Sequence, residues 1–186
     1  EPYPYANFME ASRRSPIGSN GMRFSIHLAG KKNTLGKTVS YGGIFNINHA
    51  NTKDDIARSV LEGIACSFDE HLESVRNELG TIPDEICISG GLTKDSFFNQ
   101  MVSSMTGLDA VTLDNPEATA SGAWISTATR LGLYDSEANA FATIAKHLRE
   151  IRYSPIHTEH NEYQKIEDEL TRFTDSMPET TTYGGY

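Results

Sequence analysis

Residues 86–107 read ICISGGLTKDSFFNQMVSSMTG. Ile86-Cys87-Ile88 is a short apolar run of the kind a buried strand uses, and after Ser89 it meets Gly90-Gly91. Phe97, Phe98, Met101, Val102 and Met105 then recur at helical spacing, ahead of Gly107. Glycines where a strand hands over to a helix let backbone come within contact distance of a ligand. The N–H groups of the following helix favour an anion such as phosphate. The same pair also serves a tight turn with no ligand, so the two glycines alone leave both readings open.

The strongest local signal lies upstream. Thr52 is placed to cap a helix whose first turn carries Asp54 and Asp55. Ile56, Val60, Ile64, Phe68 and Leu72 follow every four residues, joined by Leu61, Ala65, Val75 and Leu79. A helix over 53–79 is about 40 Å long at 1.5 Å per residue and is expected to lie across a sheet. Before it, Met22, Phe24, Ile26 and Leu28 share one parity and predict a strand over 22–28. Residues 30–36, with two lysines, read as a polar loop. A second strand is expected over 39–47, where Gly42 and Gly43 mark a bulge or a close backbone approach. Tyr5, Phe8, Met9 and Ala11 ahead of Arg13 and Arg14 predict a short first helix, which the PIGSNG turn at 16–21 ends. Downstream, a strand over 110–113 leads through Asn115-Pro116 into an Ala-rich helix ending near Gly132. Helices over 136–151 and 161–173 complete the order. Strand alternating with helix gives an α/β fold class.

The 186 residues favour one domain over two small ones, and 38% hydrophobic with 22% charged residues is enough apolar content to build a core. Sixteen Lys and Arg against twenty-five Asp and Glu give a charge of −9, the wrong sign for phosphate backbones or anionic membranes. No apolar run reaches the ~20 residues of a membrane span, and residues 1–5 do not open a signal peptide. Cys66 and Cys87 lie on different predicted elements without metal-type spacing, which fits a reducing cytoplasm. The absence of an initial Met leads us to expect a piece of something longer, and residues 178–186, PETTTYGGY, are expected to be a mobile tail.

Residues 86–107 closely resemble the nucleotide-binding segment of FGGY-family carbohydrate kinases: a strand, a glycine run, Lys, an aromatic and Gln, then a Thr-Gly helix end. Residues 42–62, GGIFNINHANTKDDIARSVLE, resemble that family's second signature, a glycine and alternating apolar run followed by Asp-Ile-x-x-Ser-Val-Leu-Glu. Glu117 to Ala123, EATASGA, is similar to its Glu-x-x-Ala-x-Gly-Ala helix start, and residues 22–30 to its Leu-x-Phe-x-Pro-x-Leu-x-Gly strand. The likeness covers about residues 16–173 in one order.

The resemblance implies a ribonuclease H-like, actin-like ATPase domain. Residues 1–173 would be most of the C-terminal, nucleotide-binding lobe without its opening strands, and 174–186 the tail. It implies that Gly90, Gly91 and Leu92 line the nucleotide phosphates or nearby ribose, and that Asp95 lies near the adenosine. It further implies ATP with Mg2+ in the intact enzyme, and a sugar, with ketopentoses of the xylulose type first, bound mainly by an N-terminal lobe. The family's Gly-Asp-Gln segment with the catalytic aspartate and its Gly-Thr-Ser phosphate loop do not occur in this sequence. No catalytic residue is therefore assigned, and the chain alone is expected to be an inactive half-site with an exposed sheet edge that favours self-association, a homodimer included. Three positions depart from the pattern. Leu92 stands where a third glycine is usual, Lys31-Lys32 replace Glu-Arg after Gly30, and Asn46 replaces a glycine. Asn tolerates positive φ best among non-glycine residues, so a positive φ is expected at Asn46. The competing reading is a non-catalytic interaction or regulatory module that keeps the fold.

The remaining candidates carry bland explanations. Arg58 and Glu62 are four apart and pair across one helical turn, with Gly63 beside them open to another backbone. His157 and His160 sit in an expected solvated loop without further metal ligands. Lys94 is expected in solvent, and Trp124, Phe97 and Phe98 in the core.

Overall fold

The computed structural model describes residues 4–28, 30–32, 38–40, 42–81, 83–115 and 117–176. The chain forms two compact units, one of residues 1–82, 104–107 and 155–186, the other of residues 83–103 and 108–154.

In the first unit, helix α1 (Pro4–Arg14) and helix α2 (Lys53–Leu79) pack together with strand β1 (Arg23–Ser25). The bounds of α2 are those expected, and both ends have local causes. Asp55 N–H donates to Thr52 Oγ1 while Thr52 N–H donates to Asp55 Oδ2 at 2.8 Å, a reciprocal cap, and Gly80 ends the helix at φ 68. Its deepest face is not the expected apolar stripe. Leu61 and Ala65 are fully buried, but beside them lie Asp55, Arg58 and Glu62, whereas Ile56 and Val75 are exposed. The polar groups go inward because the 16–21 turn and helix α6 (His157–Asp175) bring them partners.

Strand β4 (Gly43–Phe45) pairs antiparallel with β1, Phe24 opposite Ile44. The single strand expected over 39–47 is divided: strand β3 (Thr38–Ser40) instead pairs with strand β2 (Lys31–Lys32). The lysines expected in a loop thus belong to a two-stranded ladder, and residues 33–37 of that expected loop lie outside the described ones. Division falls at Gly42, where a Cβ would lie 2.4 Å from the Ser25 carbonyl, so close backbone approach is the role of this glycine. Asn46 adopts the expected positive φ, at 57°.

The second unit is built on the sheet β5–β6–β7. Strand β5 (Glu85–Ile88) runs parallel to strand β6 (Asp109–Leu113), joined by helix α3 (Ser96–Thr106) as the crossover that parallel neighbours require. Central β6 buries Ala110, Val111 and Thr112. Helices α4 (Ala118–Arg130) and α5 (Glu137–Ala145) follow, then strand β7 (Glu150–Tyr153), antiparallel to β6. The helix expected over 136–151 is therefore too long. Leu148 and Ile151 continue the helical period of Phe141 and Ile144, but β6 offers an open edge, and pairing of Val111 with Arg152 and Thr112 with Ile151 overrides it.

Two further expectations are corrected. The 157–160 segment is the first turn of α6, with His160 Nδ1 2.9 Å from the Ser104 carbonyl and Glu159 accepting from Ser104 Oγ at 2.9 Å, so these side chains serve packing. Trp124 is 43% exposed and meets Tyr134 edge to face, and of the three aromatics expected in the core Phe98 is the one buried. Helix α6 continues to Asp175 with Thr174 buried, and the expected tail from 178 on lies outside the described residues.

Candidate nucleotide-binding site

The carboxyl ends of parallel β5 and β6 are where an α/β sheet places its ligands. β5 ends at Ile88, and Gly90 then takes φ 119 and ψ −176, a conformation essentially reserved for glycine. The chain does not pass straight into α3, as the sequence alone suggested. Gly91–Lys94 forms one 3-10 turn, in which Thr93 N–H and Oγ1 both donate to the Gly90 carbonyl, at 3.2 and 2.8 Å. Asp95 Oδ1 then accepts from Phe97 N–H at 2.9 Å. Asp95 is thus the cap of α3, and the N–H groups just after the glycines are those that open the 3-10 turn, on Gly91 and Leu92, since Thr93 N–H is taken by the Gly90 carbonyl. Leu92 is half-buried within that turn, and Lys94 is exposed as expected.

A Cβ added at Gly90 or at Gly91 meets no atom within 4 Å. Gly90 is explained by its backbone. Gly91 has no positive φ, and no described neighbour requires it to lack a side chain. Ser89, just before the glycines, lines a cavity of about 260 Å³. Ile88, Leu113, Ile125, Phe141 and Ile144 supply apolar walls, and Cys87, Ser89, Asn115 and Ser121 supply polar atoms. An apolar slot with a few polar groups is the usual form of a small-molecule site. Asn115 holds the entry of α4: its amide donates to Ser121 Oγ at 3.0 Å and its oxygen accepts from Glu117 N–H at 3.3 Å. Gly122 lines the cavity with open space where a Cβ would be. Sequence reading picked out the Glu117–Ala123 segment as a helix start but gave Ser121 and Gly122 no site role. Phe141 carried no local signal at all.

Arg58 and Glu62 do pair as expected, Nε to Oε1 at 2.8 Å, and are buried at 4% and 2% exposure. Glu62 also accepts from Gly18 N–H at 2.9 Å and Ser19 Oγ at 2.8 Å, and Arg58 donates to the Tyr163 hydroxyl at 2.7 Å. Burial holds the Tyr163 hydroxyl above the usual phenol range. This network lies in the first unit and locks the 16–21 turn to α2.

Among the described residues no group of three or more His, Cys, Asp or Glu side chains is arranged to hold a metal. No described helix is long and apolar enough to cross a membrane.

Comparison with known proteins fits this architecture. Xylulose kinase of Staphylococcus epidermidis is 29% identical over 130 residues, covering 70% of this chain and 26% of that protein. Gluconokinase of Bacillus subtilis is 24% identical over 165 residues, covering 88% of this chain and 31% of that protein. The ligand-bound xylulose kinase from Lactobacillus acidophilus superposes with a TM-score of 0.70 at 20% identity, over 90% of this chain and 34% of that one. Glycerol kinase from Plasmodium falciparum with ADP gives 0.70 at 17% identity, over 91% and 34%. The chain thus spans about a quarter to a third of the length of these relatives. The fold is the ribonuclease H-like, actin-like ATPase fold. Residues 9–131, about two-thirds of the chain, match the profile of the FGGY family of carbohydrate kinases, C-terminal domain, and the chain belongs to that family.

Proposed function

We propose that this chain is the nucleotide-holding lobe of an ATP-dependent sugar kinase, which transfers the γ-phosphoryl group to a sugar hydroxyl, with a ketopentose such as xylulose as acceptor. The observation that carries the reading is Gly91: an exposed residue with ordinary φ and open space at its Cβ, two positions after Ser89, which lines a cavity at the carboxyl ends of two parallel strands. Packing among the described residues gives no reason for a glycine there, whereas close passage of a phosphate or ribose does. The xylulose preference rests on the names of relatives such as the xylulose kinases of Staphylococcus epidermidis and Bacillus subtilis.

In this reading the base enters the slot between Ile88, Leu113, Phe141 and Ile144, whose apolar walls exclude water from it. Gly90, Gly91 and Leu92 pass against the phosphates or ribose, and the N–H groups of Gly91 and Leu92, which open the 3-10 turn, face negative charge. Thr93 holds the turn, and Asp95, which caps α3 through Phe97 N–H, lies near the adenosine. The acid-base step and the sugar contacts belong to residues outside this chain, and Mg2+ would arrive with the nucleotide. The contribution of this lobe is alignment, which is most of what phosphoryl transfer asks of a protein.

Titrating the purified chain with ADP and ATP, and assaying ADP release with a panel of ketoses, tests the assignment. Nucleotide binding without sugar-dependent ADP release is expected. A folded chain that binds neither nucleotide overturns the reading, and ADP release requiring both this chain and a sugar overturns the division of labour.

A further inference from the structure

The Gly90–Gly91 turn is held from below by one buried side chain. Asn99, on α3 and 1% exposed, donates from Nδ2 to the Thr93 carbonyl at 2.9 Å. Thr93 in turn places both its N–H and its hydroxyl on the Gly90 carbonyl, at 3.2 and 2.8 Å. The chain of bonds therefore runs from the helix to the first glycine. The peptide between Gly90 and Gly91 is trans and planar, so fixing the Gly90 carbonyl toward Thr93 also fixes the Gly91 N–H on the opposite side.

The other end of the Asn99 amide shows that stability is not what this residue supplies. Its Oδ1 is buried and has no hydrogen-bond partner among the described residues. An amide flip does not relieve this, because it would set an oxygen against the Thr93 carbonyl. A buried acceptor left unpaired costs free energy that leucine, of similar volume, would avoid. Among the described residues, the one thing the amide does is hold Thr93.

We propose that Asn99 is a positioning residue for the nucleotide phosphates, acting through Thr93 to aim the Gly91 N–H. This rests on the nucleotide reading of the site and adds to it a residue that touches no ligand. A donor held in place before the ligand arrives loses no ordering entropy on binding, so loosening the strut costs affinity for the phosphorylated part of the ligand and not for the base.

The test uses the full chain, with ADP and adenosine as probes and melting temperature measured on each variant. Asn99→Leu and Thr93→Val should each fold, with ADP affinity about five- to tenfold lower, the range of one lost hydrogen bond, and adenosine affinity within about twofold of the unaltered chain. Combining the two should cost little more than either alone, because both cut one strut. Unchanged ADP affinity in a folded variant overturns the inference, and so does a parallel loss of ADP and adenosine. Should Asn99→Leu fail to fold, Thr93→Val, at a half-buried position, decides it by the same criteria. An unaltered chain that binds neither probe would instead sink the nucleotide reading, and the inference with it.

Discussion

The carbonyl oxygen of Phe24 occupies the place where a side chain on Gly63 would begin: a Cβ built there lies 2.2 Å from it. β1 is thereby pressed against α2 at the turn that also carries Glu62, and the obstacle is backbone, which cannot rotate away. Gly63→Ala must force the strand and the helix apart. The expected cost is about 3 kcal/mol, the upper part of the overpacking range. For a chain of this length that lowers the melting temperature by roughly 6–12 °C. A melting temperature unchanged in Gly63→Ala would show that the two elements separate freely.

Asn46 separates backbone from side-chain effects. Its φ is 57°, and its Nδ2 donates to the Gly21 carbonyl at 2.9 Å in an exposed position. Asn46→Gly keeps the backbone and loses only that exposed bond, so denaturant titration should show a change of about 0.5 kcal/mol or less. Asn46→Val puts a β-branched residue in the left-handed region, at about 1–2 kcal/mol. Equal stability of the two variants would mean that the segment rearranges to an extended φ.

What could be read from sequence was what a single window contains. The bounds of α2 follow from Thr52, Asp55 and Gly80, all within or beside the helix, and the φ of Asn46 from one substitution in a motif. β7 could not be read that way, since Ile151 fits the helical period of Phe141 and Ile144 and becomes a strand residue only because β6, some forty positions earlier, has an open edge. The burial of Arg58 and Glu62 depends on Tyr163 and Ser19, which no window around them contains. The site divides in the same manner. Gly90 and Gly91 stand out locally, whereas the cavity is assembled from strand ends and two helices that only the fold brings together.

In the first unit, Glu167 of α6 gives stability an unusual pH dependence. It borders a cavity of about 340 Å³ with Asp69, Glu70 and Glu73 of α2. Burial first, then the charges of Asp69, Asp168, Glu70 and Glu73, push the Glu167 carboxyl from 4.5 up to about 8, and burial raises Asp69 as well. The folded chain therefore keeps a proton that the unfolded chain releases. The stability this contributes is complete below about pH 4.5 and is lost as pH rises through about 8. At the acid end the opposite sign applies to Asp54, held low by its hydrogen bond from Arg14. It applies also to Asp55, where bonds from Ser15, Thr52 and Asn20 outweigh burial. Those contributions are lost as pH falls below the ordinary carboxylate range. Melting temperature should thus fall between about pH 5 and pH 8, and Glu167→Gln should flatten the fall. An equal slope in the variant would assign the effect to other groups.

Gly91 offers the decisive comparison of site against scaffold. Because its φ is ordinary and a Cβ there touches nothing, Gly91→Ala should leave melting temperature unchanged or slightly raised, alanine being the better residue in an exposed helical turn. Gly91→Val should fold as well, since no described atom lies within 4 Å of the Cβ that carries its branches. If the nucleotide passes against this residue, the same side chains occupy its path. One lost close contact to phosphate is worth about 1.5–3 kcal/mol, so ADP affinity in Gly91→Val should fall at least about tenfold, with Gly91→Ala between it and the unaltered chain. The tight-turn explanation predicts the reverse, stability lost in proportion to side-chain size while any ligand effect merely follows the unfolded fraction. Melting temperature and ADP titration on the three proteins separate the two, and a folded Gly91→Val that binds ADP as the unaltered chain does would remove Gly91 from the nucleotide site.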